Sequence, residues 1–165
     1  MKSPSAASSF SPPDVSRAAI VEIYEHRQFS QWMVLLLAVF AVVFAMIGFM
    51  GFAVEARFAA FLFVAIAIAF SALVTRVDAN GVSWNYTVGA PGGKIAFSEI
   101  ANVEVTTTSF WEGWGIHWTI WHGWLWNVSG YGAVMITKTD GGRVTLGTDD
   151  PQGFYEAVVR FRAGA

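Results

Sequence analysis

Hydrophobic and polar positions along the chain fall into two regimes that meet near Val74. From Trp32 to Val54 the run WMVLLLAVFAVVFAMIGFMGFAV carries no charge for twenty-three residues. At about 1.5 Å per residue, such a helix covers a bilayer core of about 30 Å. After Glu55-Ala56-Arg57, the run FAAFLFVAIAIAFSALV from Phe58 to Val74 adds seventeen residues, at the short end of the spanning range of about 17 to 25. The pattern predicts transmembrane helices over 32–54 and 58–76, paired as a hairpin. Ala38, Ala41, Ala45 and Gly48 recur at steps of three and four, as do Ala65, Ala69 and Ala72. Such small-residue stripes suit close packing of two membrane helices on each other, rather than a seam between copies. Neither apolar run contains an ionisable residue, so a proton or ion path through them is not expected.

Beyond Val74 the period drops to two and turn residues appear, the signature of short antiparallel strands. TRVDANGVSWNY places Asn80-Gly81 between two β-rich runs, which predicts a hairpin with a type I′ turn. Further strands are expected at 94–97, 101–109, 115–121, 124–129, 132–139 and 142–147, with Asp140-Gly141 turning the last two. TDDPQGFYEAVVRFR then supplies a helix, with Asp149 or Asp150 as N-cap, Pro151 in the first turn, and Phe154, Val158 and Phe161 on one face. The expected fold is therefore a two-helix transmembrane hairpin followed by an antiparallel β-barrel or sandwich of about seven strands, capped by a C-terminal α-helix. That domain is expected over 77–163. The Ser/Ala/Pro-rich residues 1–13 read as a disordered tail, and 14–31 as a juxtamembrane segment that enters the bilayer as a short strand or helix.

Composition agrees with a membrane assignment: 55% of the 165 residues are hydrophobic and 13% charged, with a mean hydropathy of +0.48. A net charge of −2 and the lack of any Lys/Arg-rich run leave no electrostatic footprint for nucleic acid. There is no cysteine, which excludes disulfides, thiolate nucleophiles, iron–sulfur clusters and cysteine-type zinc sites. Arg17 and Arg27 precede the first span, Arg76 and Lys94 follow the second, and the connection holds only Arg57 beside Glu55. The positive-inside rule then puts both termini in the cytoplasm.

The candidate chemistry concentrates in FWEGWGIHWTIWHGWLWNVSG, residues 110–130, where Trp111, Trp114, Trp118, Trp121, Trp124 and Trp126 surround His117 and His122. Aromatic clusters of this kind serve core packing, membrane anchoring or docking on the helices, or a groove for a partner or apolar ligand. All three uses stay open for these eight residues. Strand alternation places Ile116, Trp118 and Ile120 on one face and His117, Thr119 and Trp121 on the other. A metal site would need His117 and His122 to converge with Glu112 or His26, whereas residues at odd separation in a strand diverge. No cofactor is expected. Asp149-Asp150 read as helix capping rather than as catalytic carboxylates. Ser129 lacks a nucleophile-elbow context, Gly92-Gly93-Lys94 is not a phosphate loop, and Asn127-Val128-Ser129 is a sequon that a cytoplasmic domain would not have modified.

The order of these pieces resembles the bacterial pleckstrin-homology-like families of small membrane proteins, in which two transmembrane helices precede a PH-like domain. The likeness rests on EHRQFSQW, TRVDANGVSW, KIAFSEIANVEV, GWGIHW, GWLWNVSGYGAVMITKTDGGRVTLGTDDP and the closing helix, and covers about residues 24 to 162. The tryptophans at 111–126 are denser than that pattern leads one to expect. The resemblance implies a fold and a location, the bacterial cytoplasmic (inner) membrane, rather than an activity. The expected function is a non-enzymatic interaction or assembly module, with membrane lipids and a membrane protein or a second copy as partners. The alternative is a lipid or apolar-ligand binder in which Arg76, Lys94 and Arg143 meet headgroups.

Overall fold

The computed structural model describes residues 23–51 and 54–164. The expected disordered tail, 1–13, and the juxtamembrane residues up to 22 lie outside the described residues. The first element is a strand, β1 (Tyr24–Phe29), and it is followed by two helices, α1 (Gln31–Phe49) and α2 (Glu55–Ala69). Seven of the eight remaining strands are β2 (Ala72–Asp78), β3 (Gly81–Tyr86), β4 (Gly92–Ala96), β5 (Ile100–Thr107), β6 (Gly115–Thr119), β7 (Gly123–Asn127) and β8 (Gly132–Lys138). The chain ends with β9 (Arg143–Gly147) and α3 (Pro151–Ala163). One sheet has the order β1-β2-β3-β4 and the other β5-β8-β9-β7-β6, together a sandwich-like β fold with a C-terminal helix.

Three expectations are corrected here. First, the helix predicted over 58–76 stops at Ala69, and residues from Ala72 are strand. Leu73, Val74, Thr75 and Val77 are strand formers on a pleated, half-buried surface, and pairing on both sides of β2 outweighs continuation of the helix. At 15 residues, α2 is about 22 Å long, so among the described helices α1 alone has the length and composition to cross a membrane. The first helix also ends sooner than predicted, at Phe49 rather than Val54. Second, the β domain does not begin at 77. It begins with β1, ahead of the helices, because Tyr24 to Phe29 pair in register with Val77 to Ala72.

Third, the described residues contain nine strands, not about seven, and one pairing is parallel, β7 with β9. The β2–β3 turn also differs from the type I′ prediction. Its central residues are Ala79 and Asn80, since Asp78 pairs with Gly81, and neither takes positive φ. Instead Asp78 Oδ1 accepts from the Asn80 N–H at 2.7 Å, a side-chain turn of the Asx kind.

The helices pack through small residues, but only half of the stripe predicted for α1 takes part, since Ala38 and Ala45 are exposed. Ala41 and Gly48 are buried there. On α2 the buried set is Ala56, Ala60 and Ala67 rather than the expected Ala65, Ala69 and Ala72, the last of which belongs to β2. Phe63 fits between Phe40 and Phe44 with ring centroids 5.5 and 5.4 Å away. At the loop end Arg57 donates to the Gly48 carbonyl at 3.0 and 3.1 Å, so a cation meets the C-terminal carbonyls of α1, the favourable end for it.

Between the two sheets lie Leu73, Val77, Val82, Tyr86, Ile136 and Leu146, and α3 closes this core with Phe154 and Val158. Fully burying one such side chain is worth about 1.5–3 kcal/mol. The N-cap of α3 is Asp150, whose Oδ1 accepts from the Gly153 N–H at 3.0 Å. Its Oδ2 accepts from the Tyr24 hydroxyl at 3.1 Å, and the Tyr24 ring stacks on Phe154 at 5.8 Å. Burial first, then the Asp150 charge, pushes the Tyr24 phenol well above its ordinary value, so it stays a donor. Asp149 pairs with His26. Both carboxylates thus tie the helix start to β1.

Where helices meet sandwich, the Ser30 N–H donates to the Ser71 carbonyl at 2.8 Å, extending the β1–β2 ladder by one rung. The buried Ser30 hydroxyl donates to the Val128 carbonyl at 2.5 Å, and Gln28 Nε2 to the Ser129 carbonyl at 2.8 Å. These bonds join the root of α1 to the second sheet. Ser30→Ala should cost about 1–3 kcal/mol in denaturant unfolding in mild detergent, because it strands a buried acceptor. Ser71→Ala, which removes a half-buried hydroxyl bonded to the Ile68 carbonyl and the Thr87 hydroxyl, should cost less, about 0.5–1.5 kcal/mol.

Candidate functional site

The tryptophan-rich stretch builds a hairpin, β6–β7, preceded by a crossover from β5. In the hairpin Ile116 lies opposite Trp126, His117 opposite Leu125 and Trp118 opposite Trp124. Alternation puts Ile116, Trp118, Trp124 and Trp126 on the core-facing side. Trp126 packs there edge-on against Trp84 at 5.7 Å and beside Tyr86 at 6.2 Å. Trp118 and Trp124 share that side yet are largely exposed, since they lie at the other end of the hairpin, past the reach of the core. Leu125 is fully buried on the opposite face. His117 lies on that face too, with Nε2 buried and without a hydrogen-bond partner among the described residues.

The turn that joins the strands exposes Ile120 and Trp121, the latter at 72%. It is held from below: the Arg143 guanidinium donates to the Trp121 and Ile120 carbonyls at 2.7 and 3.0 Å, and the Thr145 hydroxyl to the His122 carbonyl at 2.8 Å. Gly123 closes it at φ +67°, where a Cβ would also overlap the Arg143 carbonyl.

The crossover starts where the Thr108 N–H donates to the Tyr131 carbonyl at 2.7 Å. A 3₁₀ turn, Phe110–Glu112, follows. Glu112 accepts from the Ser109 N–H at 2.8 Å and contacts His122 Nδ1 at 2.6 Å. Its burial alone would raise the carboxyl, but the Ser109 hydrogen bond and the His122 bond and charge hold it below the ordinary carboxylate range. With Glu112 turned inward, its neighbours turn out. Trp111 is 92% exposed, and Phe110 meets the Trp111 and Trp114 rings at 5.7 and 6.5 Å.

The eight residues singled out from sequence therefore divide. Trp126 is core, His117 and His122 lie against the covered outer side of the second sheet, Trp111 and Trp114 belong to the crossover, and Trp118, Trp121 and Trp124 to the hairpin. His122 does turn as a metal ligand would require, but toward Glu112 and Thr106, while His26 is engaged with Asp149. Among the described residues no group of three or more His, Asp or Glu could hold a metal ion. Of the three suggested headgroup contacts, Arg76 and Lys94 share a face, both opposite Ser83. Arg76 is paired with Glu25, and Arg143 is spent on the turn.

Sequence reasoning named Glu112 only as a possible metal partner of the histidines and missed its role as the anchor of this site, although Ser109-Phe110-Trp111-Glu112 fits the S-x-x-E capping box. A depressed carboxyl contributes stability that is complete above the unfolded value, about pH 4.3, and is lost as pH falls through the folded value. Glu112→Gln should thus lower stability at pH 7 by about 1–2 kcal/mol. It should also flatten the acid limb of the stability–pH curve below about pH 4.3, as followed by urea unfolding.

No protein-family model, no curated protein and no solved structure matches this chain.

Proposed function

We propose that the chain is a non-enzymatic interaction module of the pleckstrin-homology-like kind, anchored in a bacterial cytoplasmic membrane by the α1–α2 pair, with the sandwich and both termini on the cytoplasmic side. The observation that carries this reading is the surface of α1. It has no charge over 19 residues, and Leu35, Leu36, Val39, Val42 and Phe49 are all exposed. An apolar surface of that extent is costly in water and at home in hydrocarbon, where a helix satisfies its own backbone. The shorter α2 returns through the same bilayer, with local thinning and snorkelling of the flanking residues absorbing its shortfall. Arg57, bonded to the end of α1, marks the far interface. The remaining flanking cations, Arg27, Arg76 and Lys94 among them, lie on the sandwich side, in keeping with a cytoplasmic domain.

The PH-like reading is supported by two packed sheets closed by a C-terminal helix. Its departures are the parallel β7–β9 pair and the insertion of the helices between β1 and β2. The non-enzymatic reading is supported by the commitments of the ionisable groups: Glu112 to His122 and Ser109, Asp150 to the helix cap, and Asp149 to His26.

Recognition is supported by the edge of the second sheet. The edges β1, β4 and β5 carry Glu25 and Arg27, Lys94, and Glu104, the usual guards against strand addition. Edge β6 has none, and Gly113 to Asn127 contains no Asp, Glu, Lys or Arg. With Trp118, Ile120, Trp121 and Trp124 exposed beside it, this hairpin is the recognition surface for a membrane-protein partner. Crosslinking and purification from native membranes tests it. A partner captured by the wild type should fall at least tenfold with Trp121→Ala/Trp124→Ala, as for a hot spot of about 1.4 kcal/mol or more. Equal recovery by the variant would contradict this assignment.

A further inference from the structure

We infer that the crossover at 110–114, with Phe29, Trp32 and Tyr131, is a second aromatic surface that seats the sandwich on the headgroup layer of the membrane its helices enter. This rests on the membrane-spanning reading above and deepens it. The argument is one of position. The helices leave the sandwich between Ser30 and Ser71. The segment 128–129 is bonded to that root through Ser30, Gln28 and Ser129, whose hydroxyl donates to the Phe29 carbonyl at 3.4 Å. The crossover is tied to the same segment at both ends, by Thr108 to Tyr131 and by Gly115 pairing with Asn127. It therefore leaves and re-enters the sandwich at the end from which the helices depart, while Glu112 at its middle reaches back over the outer face of the second sheet to His122. Trp118, Trp121 and Trp124 lie toward the other end of the hairpin, about 13 Å along the strands from the Gly115–Asn127 pair where the crossover re-enters.

The chemistry of the rim suits an interface rather than water. Phe29, Phe110, Trp111, Trp114 and Tyr131 are exposed, and Trp32, in the first turn of α1, is 71% exposed. Tryptophan and tyrosine collect at headgroup depth, where an apolar ring and a polar edge are both satisfied. The one acid of the crossover, Glu112, is turned inward onto His122 and so presents no bare charge to lipid. The strand-to-helix junctions already hold the sandwich at the bilayer; this rim supplies the contact with the headgroups on one side of it and leaves the β6–β7 turn free for a partner.

The test uses the full chain reconstituted in phosphatidylcholine vesicles with brominated acyl chains, which quench indoles at the membrane. The quenchable share of emission should drop in Trp111→Phe/Trp114→Phe and be retained in Trp121→Phe/Trp124→Phe. Since the chain has no cysteine, Trp111→Cys carrying an environment-sensitive fluorophore gives a second readout, a blue shift on transfer from detergent to vesicles. If Trp32→Phe alone abolishes quenching and the label does not shift, the helices are inserted but the sandwich stands off, and only this inference falls. If the wild type shows no quenching and does not float with the vesicles, the membrane-spanning reading falls with it.

Discussion

Between Phe29 and Ala72 the chain leaves one sheet, runs out along α1, returns along α2, and re-enters the same ladder on the neighbouring strand. That antiparallel pairing is the constraint on which the rest depends. It places the roots of the two helices one strand spacing apart, about 4.8 Å, so the helices must start side by side, and the small residues Ala41, Gly48, Ala60 and Ala67 let them remain so. It also works in reverse. A pre-formed helix pair brings β1 and β2 together, offsetting the loop-closure entropy that would otherwise oppose pairing of strands so distant in sequence. Sandwich and helices are therefore one mechanical unit, with Ser30 bonded to Ser71 on one side and to Val128 on the other.

From that junction the fates of four tryptophans of similar local sequence follow. Trp126 sits next to the junction on the core-facing side and is absorbed by Trp84 and Tyr86. Trp124 has the same parity two residues away, and the core no longer reaches it. Trp111 and Trp114 are carried outward because Glu112 between them is pulled inward. Position along the strand, parity and one carboxylate decide these outcomes; hydrophobicity alone does not.

Much of the architecture was legible in the chain: the apolar span that became α1, the strand alternation after Val74, and the capped C-terminal helix with Phe154 and Val158 inward. The end of α2 was not, because Phe70 to Val74 is equally apolar as helix or strand, and only pairing with β1 and β3 decides between them. The role of β1 was hidden because YEHRQF has no clean period; His26, Glu25 and Gln28 Nε2 find their partners in Asp149, Arg76 and Ser129, contacts distant in sequence. The tryptophan stretch could be located but not divided, since its division depends on where the crossover is fastened.

The pairing of β1 with β2 can be tested directly in this cysteine-free chain. Glu25 and Arg76 face each other across the two strands in an exposed ion pair, a site where substitution costs little. Opposed residues in an antiparallel ladder lie within disulfide reach, about 4.4–6.8 Å between Cα atoms. Under mild oxidation in membranes, Glu25→Cys/Arg76→Cys should close an intramolecular disulfide, read by mass spectrometry of the monomer. Glu25→Cys/Lys94→Cys, three strand spacings or about 14 Å apart, should not. A 25–76 pair that stays reduced while the helices are membrane-inserted would mean that the sandwich is not closed across them, and the account would fail at its root.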